Sequence, residues 1–140
     1  MAAVRGEDLM YAPVILQQRI SKCHELRVTV IGDQVFACEI TTVPGTAQHI
    51  DWRIDDVEHL PHRLVSIPDD LSQRLINMLR LMGLNFGAFD FIVDDSGLYY
   101  FIEINPNGQY YWIELMTGAP LSAAMVKLIL RLAEAQELPA

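Results

Sequence analysis

The sequence predicts an α+β fold in which an antiparallel sheet carries helices packed on one side. Three observations lead to this prediction. Four β-rich runs fall into two hairpins, two segments have helical periodicity, and the order along the chain is strands, loop, helix, hairpin, helix. A chain of 140 residues with 51% hydrophobic content is long enough for one compact domain with its own core.

The beginning of the chain is the least regular part. Residues 1–12 have no periodic pattern, and we expect them to be a loose N-terminal segment. The folded domain is therefore placed at residues 13–138. Residues 14–18 suit a short strand.

The next segment predicts a tight hairpin. Residues 25–31 and 34–42 alternate in polarity across the turn pair Gly32-Asp33. Alternation places Arg27 and Glu25 on the same face of this hairpin. Two interpretations of Arg27 are open at this point: an ion pair with Glu25 on a solvated face, which would contribute little to stability, or an arginine that contacts an anionic ligand.

The middle of the chain predicts one long loop, and helices follow it. Residues 42–68 have no sustained period, and long loops in compact domains are often functional. Residues 70–82 and 120–137 are predicted to be amphipathic helices. The first has Asp69 or Ser66 as a candidate cap and Gly83 as its stop. Apolar residues recur at helical spacing in both segments: Leu71, Leu75, Met78, Leu79 and Met82 in the first, and Leu121, Met125, Leu128, Ile129 and Leu132 in the second.

The second hairpin carries the most informative residues. Residues 87–93 and 98–105 are β-rich and flank a cluster of turn formers at 94–97. If the loop has two residues, 96 and 97, the register places Asp90 opposite Glu103. Asn105 then shares a face with Glu103.

Two carboxylates opposed across a ladder need compensation. Like charges in that position destabilise a sheet, and the flanking apolar residues would also desolvate them. A hard cation such as Mg²⁺ or Mn²⁺ would compensate them, and the Asn105 carbonyl oxygen is a further candidate ligand. The alternative is a structural one: a register shifted by one residue, or carboxylates on a solvated edge.

Composition excludes several classes of partner. The formal net charge of -8 argues against binding to nucleic acid or to an anionic membrane surface. No apolar stretch approaches the length of a membrane span, and polar residues at 5, 7 and 8 do not suit a signal peptide, so a cytoplasmic location is expected. Cys23 and Cys38 do not form a CxxC motif and are expected to be reduced thiols.

Three segments together resemble the C-terminal part of an ATP-grasp domain. They are VILQQRI, which resembles the hinge strand that holds adenine, ELRVTVIGDQVFACEI, which resembles the following hairpin with its arginine, and GLNFGAFDFIVDDSGLYYFIEINPNGQ, which resembles the metal-binding strands. The resemblance extends over residues 14–130. The motif NPNGQYYWIE is similar to that of peptide maturases of the microviridin type, which close ω-ester or ω-amide rings in ribosomal peptides. Glutamate ligases that extend ribosomal-protein tails are more distantly similar.

The resemblance implies roles for individual residues. Metal ions that bridge the nucleotide phosphates would be held by Asp90, Glu103 and Asn105. Catalytic contacts to phosphate or to an acyl phosphate would come from Arg27 and Arg53. The nucleotide would also be contacted by Gln17, Gln18 and Ile20 at the adenine and by Glu25 near the ribose.

The resemblance further implies a reaction and its partners. ATP would activate a side-chain carboxylate of a precursor peptide as an acyl phosphate, which a hydroxyl or an amine then attacks. Metal ions and an arginine would neutralise charge, and no protein nucleophile is required.

The sequence also departs from the family. Lys22 and Lys127 are its two lysines, and the phosphate-gripping lysines, the glycine-rich loop and the upstream half of the domain have no counterpart. We therefore expect a fragment that has little or no ligase activity by itself.

Two alternatives to the peptide maturase remain. One is an amino-acid ligase similar to the glutamate ligases. The other is a non-catalytic module that keeps the fold and forms a homodimer through an exposed strand edge.

Overall fold

The computed structural model describes residues 17–42, 45, 52 and 60–137. Its strands and helices follow in the order β1 (His24–Ile31), β2 (Gln34–Ile40), β3 (His62–Val65), α1 (Asp69–Leu81), β4 (Phe86–Val93), β5 (Tyr99–Asn105), α2 (Tyr111–Thr117) and α3 (Leu121–Glu137). Both predicted hairpins and both predicted helices form. Of the strand predicted at 14–18, Gln17 and Gln18 are not in a strand, and the rest lies outside the described residues, as does the predicted N-terminal segment.

The strands form one antiparallel sheet in the order β3-β2-β1-β4-β5. The predicted α+β class is thereby confirmed. The central strand β1 pairs with β2 on one side and with β4 on the other, and this brings the two predicted hairpins together. Arg27 lies between Cys38 of β2 and Asp90 of β4, and we call its side of the sheet the Arg27 face.

The helices divide between the two faces, which corrects the expectation that they pack on one side. Helix α1 covers the face opposite Arg27, where Leu75 and Leu79 pack in a cluster with Val28 and Phe89. Helices α2 and α3 cover part of the Arg27 face through a second cluster, whose buried members are Ile31, Cys38, Ile113, Ala119, Leu121, Ala124 and Leu128. Ile31 and Cys38 lie on the same face as Arg27 and have apolar side chains, so both faces of the sheet bury apolar residues.

Two elements were not predicted. Strand β3 lies in the segment expected to be irregular and pairs with β2 from Ala37↔Val65 to Ile40↔His62. Helix α2 has seven residues and ends at Gly118, whose positive φ of 70° is a left-handed conformation that glycine adopts readily. These two elements meet, since His62 packs edge-on against Trp112 with ring centroids 5.2 Å apart.

Helix α3 exposes apolar side chains on its outer side. Val126, Ile129 and Leu130 are each more than half exposed. Even so, no helix in the described part of the chain is long and apolar enough to cross a membrane.

Candidate functional site

The centre of the Arg27 face holds a buried ion pair. The Nη1 of Arg27 donates hydrogen bonds to both carboxylate oxygens of Asp90, at 2.7 and 2.8 Å. Both side chains are about nine-tenths buried, and the two residues are register partners in β1 and β4. The compensation that the sequence predicted for Asp90 is therefore supplied at least in part by Arg27.

The predicted register is correct at the carboxylates and wrong near the turn. Asp90 pairs with Glu103 as expected. Between them and the turn, however, Phe91 pairs with Phe101, which leaves Ile102 as the extra residue of a β-bulge. The bulge thus returns Glu103 to the Arg27 face, with Asn105 two residues further on the same face.

The turn itself explains this difference. The Oδ1 of Asp94 accepts hydrogen bonds from the backbone N–H groups of Ser96 and Leu98, at 2.9 and 3.0 Å. Its backbone N–H donates to the carbonyl oxygen of Leu98. The connection therefore has more than the two residues that were predicted, and the ladder begins one residue out of the expected register.

After β5 the chain folds back over the ion pair. The side-chain oxygen of Asn105 accepts a hydrogen bond from the backbone N–H of Asn107, at 2.9 Å, and its carbonyl oxygen accepts one from Gly108, at 3.3 Å. Gly108 is buried next to Ala88 and Arg27. The turn at 105–108 thus fixes Asn105 relative to Arg27.

A cleft of about 420 Å³ opens at this point. Three residues predicted from the sequence line it: Arg27, Glu103 and Asn105. Four further residues of the lining were not predicted: Trp52, Asn107, Gln109 and Trp112. The two tryptophan rings are in contact, with centroids 5.4 Å apart. The cleft therefore combines a cation, a carboxylate and amide groups with an aromatic wall.

A second cleft, of about 380 Å³, adjoins the residues before β1. Gln18 and Ile20 line it together with Tyr100 and the turn at 94–96. Gln17 is exposed and is not part of the lining. Glu25 forms an ion pair with Lys22, and Arg53 lies outside the described residues.

The donor set can be compared with what a hard cation requires. Mg²⁺ prefers oxygen ligands and is usually bound by one or two carboxylates plus substrate phosphates. Glu103 and Asn105 present such oxygens on the cleft wall, and Asp90 lies behind them with both oxygens engaged by Arg27. In the described part of the chain, no three His, Cys, Asp or Glu side chains form a group that could hold a metal by themselves. The residues fit a cation whose coordination a ligand completes.

Three solved structures similar to this chain come from one class of enzyme. A RiPP-associated ATP-grasp ligase from Chryseobacterium gregarium, in complex with ADP and a leader and core peptide, is 31% identical over 88% of this chain, with a TM-score of 0.74. The macrocyclase MdnC from Microcystis aeruginosa, bound with the precursor peptide MdnA, is 31% identical over 80%, with a TM-score of 0.65. This chain matches part of an ATP-grasp ligase. The macrocyclase MdnB from the same organism agrees, at 34% identity over 79% and a TM-score of 0.62.

The match confirms the ATP-grasp resemblance that the sequence predicted, and it has a defined extent. The chain spans 36% of the Chryseobacterium ATP-grasp ligase, 34% of MdnC and 38% of MdnB, or about a third of each. Comparisons with protein-family models and with curated proteins gave no match.

Proposed function

We propose that this chain is the part of an ATP-grasp ligase that binds the nucleotide phosphates and their metal ion, in an enzyme that modifies a precursor peptide. One observation carries this proposal: Arg27, Glu103 and Asn105 come from two non-adjacent strands and line the same cleft. A cation beside oxygen ligands is the combination that phosphoryl transfer requires.

The partners are proposed from the similar proteins. The ligase from Chryseobacterium gregarium is described with ADP and a leader and core peptide, and MdnC with a precursor peptide. By analogy, ATP and a precursor peptide are the substrates of the whole protein. Two thiols without a disulfide are consistent with the cytoplasmic location that we propose for it.

The clefts suggest how the nucleotide lies. Asp94 at the second cleft directly follows β4 and lies four residues from Asp90 beside the first cleft, or about 13 Å at ~3.3 Å per residue. In this orientation Gln18 and Ile20 contact the adenine from the lining of the cleft, Gln17 contacts it from outside that lining, and Glu25 lies near the ribose. The phosphates reach Arg27, with Arg53 as a second cationic contact.

The metal ion, Mg²⁺ or Mn²⁺, would be held by Glu103 and Asn105 with Asp90 behind them. When bound, it neutralises the charge of the phosphate oxygens. Among the described residues, the buried Nε of Arg27 has no hydrogen-bond partner, and Arg27 lines the cleft beside these ligands. Arg27 therefore stabilises negative charge on the phosphoryl group that is transferred.

The reaction proposed for the whole enzyme has two steps. A peptide carboxylate oxygen attacks the γ-phosphorus of ATP, the bond to ADP breaks, and an acyl phosphate forms. A hydroxyl or an amine of the peptide then attacks the acyl carbon, loses its proton and displaces phosphate, which leaves an ω-ester or an ω-amide.

Manganese binding tests the proposal on the chain as it exists. Water-proton relaxation measures Mn²⁺ binding with and without ADP, for the native chain, for Glu103→Gln, and for Glu134→Gln on the exposed side of α3 as a control. We expect binding that ADP strengthens, that Glu103→Gln weakens by about tenfold or more, and that Glu134→Gln leaves unchanged. Equal binding by all three proteins, or none by the native chain, would overturn the proposal.

A non-catalytic module is the second candidate, and two observations favour it. Arg27 already balances the charge of Asp90, so the hairpin does not need a metal ion for its own stability. Strand β5 also carries the exposed apolar side chains of Phe101 and Ile102, a surface on which two copies could pair. Self-association in sedimentation experiments, together with no response to Mn²⁺ or ADP, would favour this candidate.

A further inference from the structure

We infer that Gly108 is a positioning residue of the cleft, and that its missing side chain lets the turn at 105–108 close over Arg27. This inference rests on the proposed function, because it assigns Gly108 a role in that same site. It begins from the space around Gly108. A Cβ built at this position would lie 2.6 Å from the Cβ of Ala88, a distance that real Cβ atoms do not tolerate.

The crowded atoms belong to the site itself. The same Cβ would lie 3.3 Å from the Nη2 of Arg27 and 3.3 Å from the carbonyl oxygen of Asn105. Ala88 lies in the middle of β4 and is fully buried, so it cannot move away as a flexible side chain could. Any side chain at 108 must therefore displace the turn rather than β4.

Displacing the turn would change both groups that face the ligand. Asn105 is held by the hydrogen bonds from Asn107 and Gly108, and the guanidinium of Arg27 is held by Asp90 on one side and covered by Gly108 on the other. Gly108 therefore sets the distance between the guanidinium of Arg27 and the side-chain oxygen of Asn105. A misplacement of about 1 Å in a group that contacts the ligand can cost up to about 10²-fold in rate.

The test compares Gly108→Ala with the double variant Ala88→Gly/Gly108→Ala, in which the 2.6 Å contact is removed. The control is Gly87→Ala, whose Cβ would meet the Leu79 side chain at 2.7 Å on the opposite face. Two quantities are measured for each folded protein: the affinity for Mn²⁺ with ADP, and the rate at which the buried Nε–H proton of Arg27 exchanges with water, by NMR.

We expect Gly108→Ala to weaken Mn²⁺·ADP binding by about tenfold or more and to accelerate exchange of the Arg27 proton. The double variant should reverse most of both changes, and Gly87→Ala should change neither beyond any general loss of stability. The inference is overturned if Gly108→Ala leaves the exchange rate unchanged, or if Ala88→Gly does not reverse its effect. If the native chain does not bind Mn²⁺·ADP but the exchange pattern appears as expected, the proposed function fails while the packing of Gly108 over Arg27 stands.

Discussion

Arg27 and Asp90 face each other across β1 and β4, with one guanidinium nitrogen 2.7 and 2.8 Å from the two carboxylate oxygens. This pair joins the two hairpins at the site, since β1 belongs to one and β4 to the other. It also fixes the orientation of the arginine before any ligand is bound.

We predict that Asp90→Asn destabilises the protein by about 3 kcal/mol or more, because it leaves a buried guanidinium without its balancing charge. Urea denaturation measures the free energy of unfolding. The matched control is Asp70→Asn on α1, whose ion pair with Arg74 is exposed and should contribute less than about 1 kcal/mol. Similar losses in both variants would show that the buried pair has no special role.

Because helices pack on both faces of the sheet, we predict that core substitutions on the two faces have additive effects on the free energy of unfolding. Leu79 of α1 and Leu121 of α3 are both almost fully buried, in separate clusters. Each change to Ala should cost about 2–5 kcal/mol, and the double variant should lose the sum to within about 0.5 kcal/mol. Leu81, which is 90% exposed, provides the control, since Leu81→Ala should have little effect. Strong non-additivity would mean that the two leucines share one core.

The Asp94 turn predicts a dependence of stability on acid pH. Hydrogen bonds from Ser96 and Leu98 lower the pKa of Asp94 from 3.8 to about 2. A lowered pKa in the folded state means that the unfolded chain binds the proton more readily, so the contribution to stability is present above about pH 4 and is lost as the pH falls toward 2. Asp94→Asn should therefore be less stable than the native protein at pH 5, with a difference that narrows between pH 4 and pH 2.

Urea denaturation at several pH values measures that difference. Asp95→Asn, in the same turn and exposed, serves as the control. A gap between native protein and Asp94→Asn that stays constant from pH 5 to pH 2 would contradict the prediction.

The two cysteines should differ in reactivity. Cys23 is exposed, whereas Cys38 is fully buried, and burial raises the pKa of the Cys38 thiol to about 11. Because the thiolate is the reactive form, a thiol reagent should modify one cysteine quickly in the folded protein and the second only in denaturant. The variant Cys23→Ser should lose the fast phase. Rapid modification of two thiols in the native protein would place Cys38 at the surface.

The site was predictable where local patterns determine it. Alternation along β5 places Glu103 and Asn105 on one face, and the predicted pairing of Glu103 with Asp90 is correct although the predicted two-residue turn is not. The offset near the turn was missed because it depends on the Asp94 side chain, which accepts hydrogen bonds from backbone N–H groups of the turn. The bulge at Ile102 shifts the register back by one residue, so that the predicted pairing is correct at the carboxylates. The pairing of Arg27 with Asp90 was missed because these two residues are 63 positions apart in sequence. Their contact depends on how the two hairpins meet, which local patterns do not indicate.

The aromatic wall of the cleft was missed for a different reason. Strand β3 has four residues and helix α2 has seven, and both are too short for a period to be recognised. Trp112 belongs to the quoted motif NPNGQYYWIE, but the motif alone did not indicate that its ring would meet Trp52. Such contacts arise from packing between elements that are distant in sequence.

The bulge at Ile102 has a practical consequence for protein engineering. It lies between the carboxylates and the turn at 94–98, and it absorbs the offset that the turn introduces. The bulge thus allows a connection longer than two residues together with the pairing of Glu103 and Asp90. A spectroscopic label placed in the turn would therefore lie at the second cleft, which residues 94–96 line, and would report on a ligand bound there while Glu103 stays opposite Asp90.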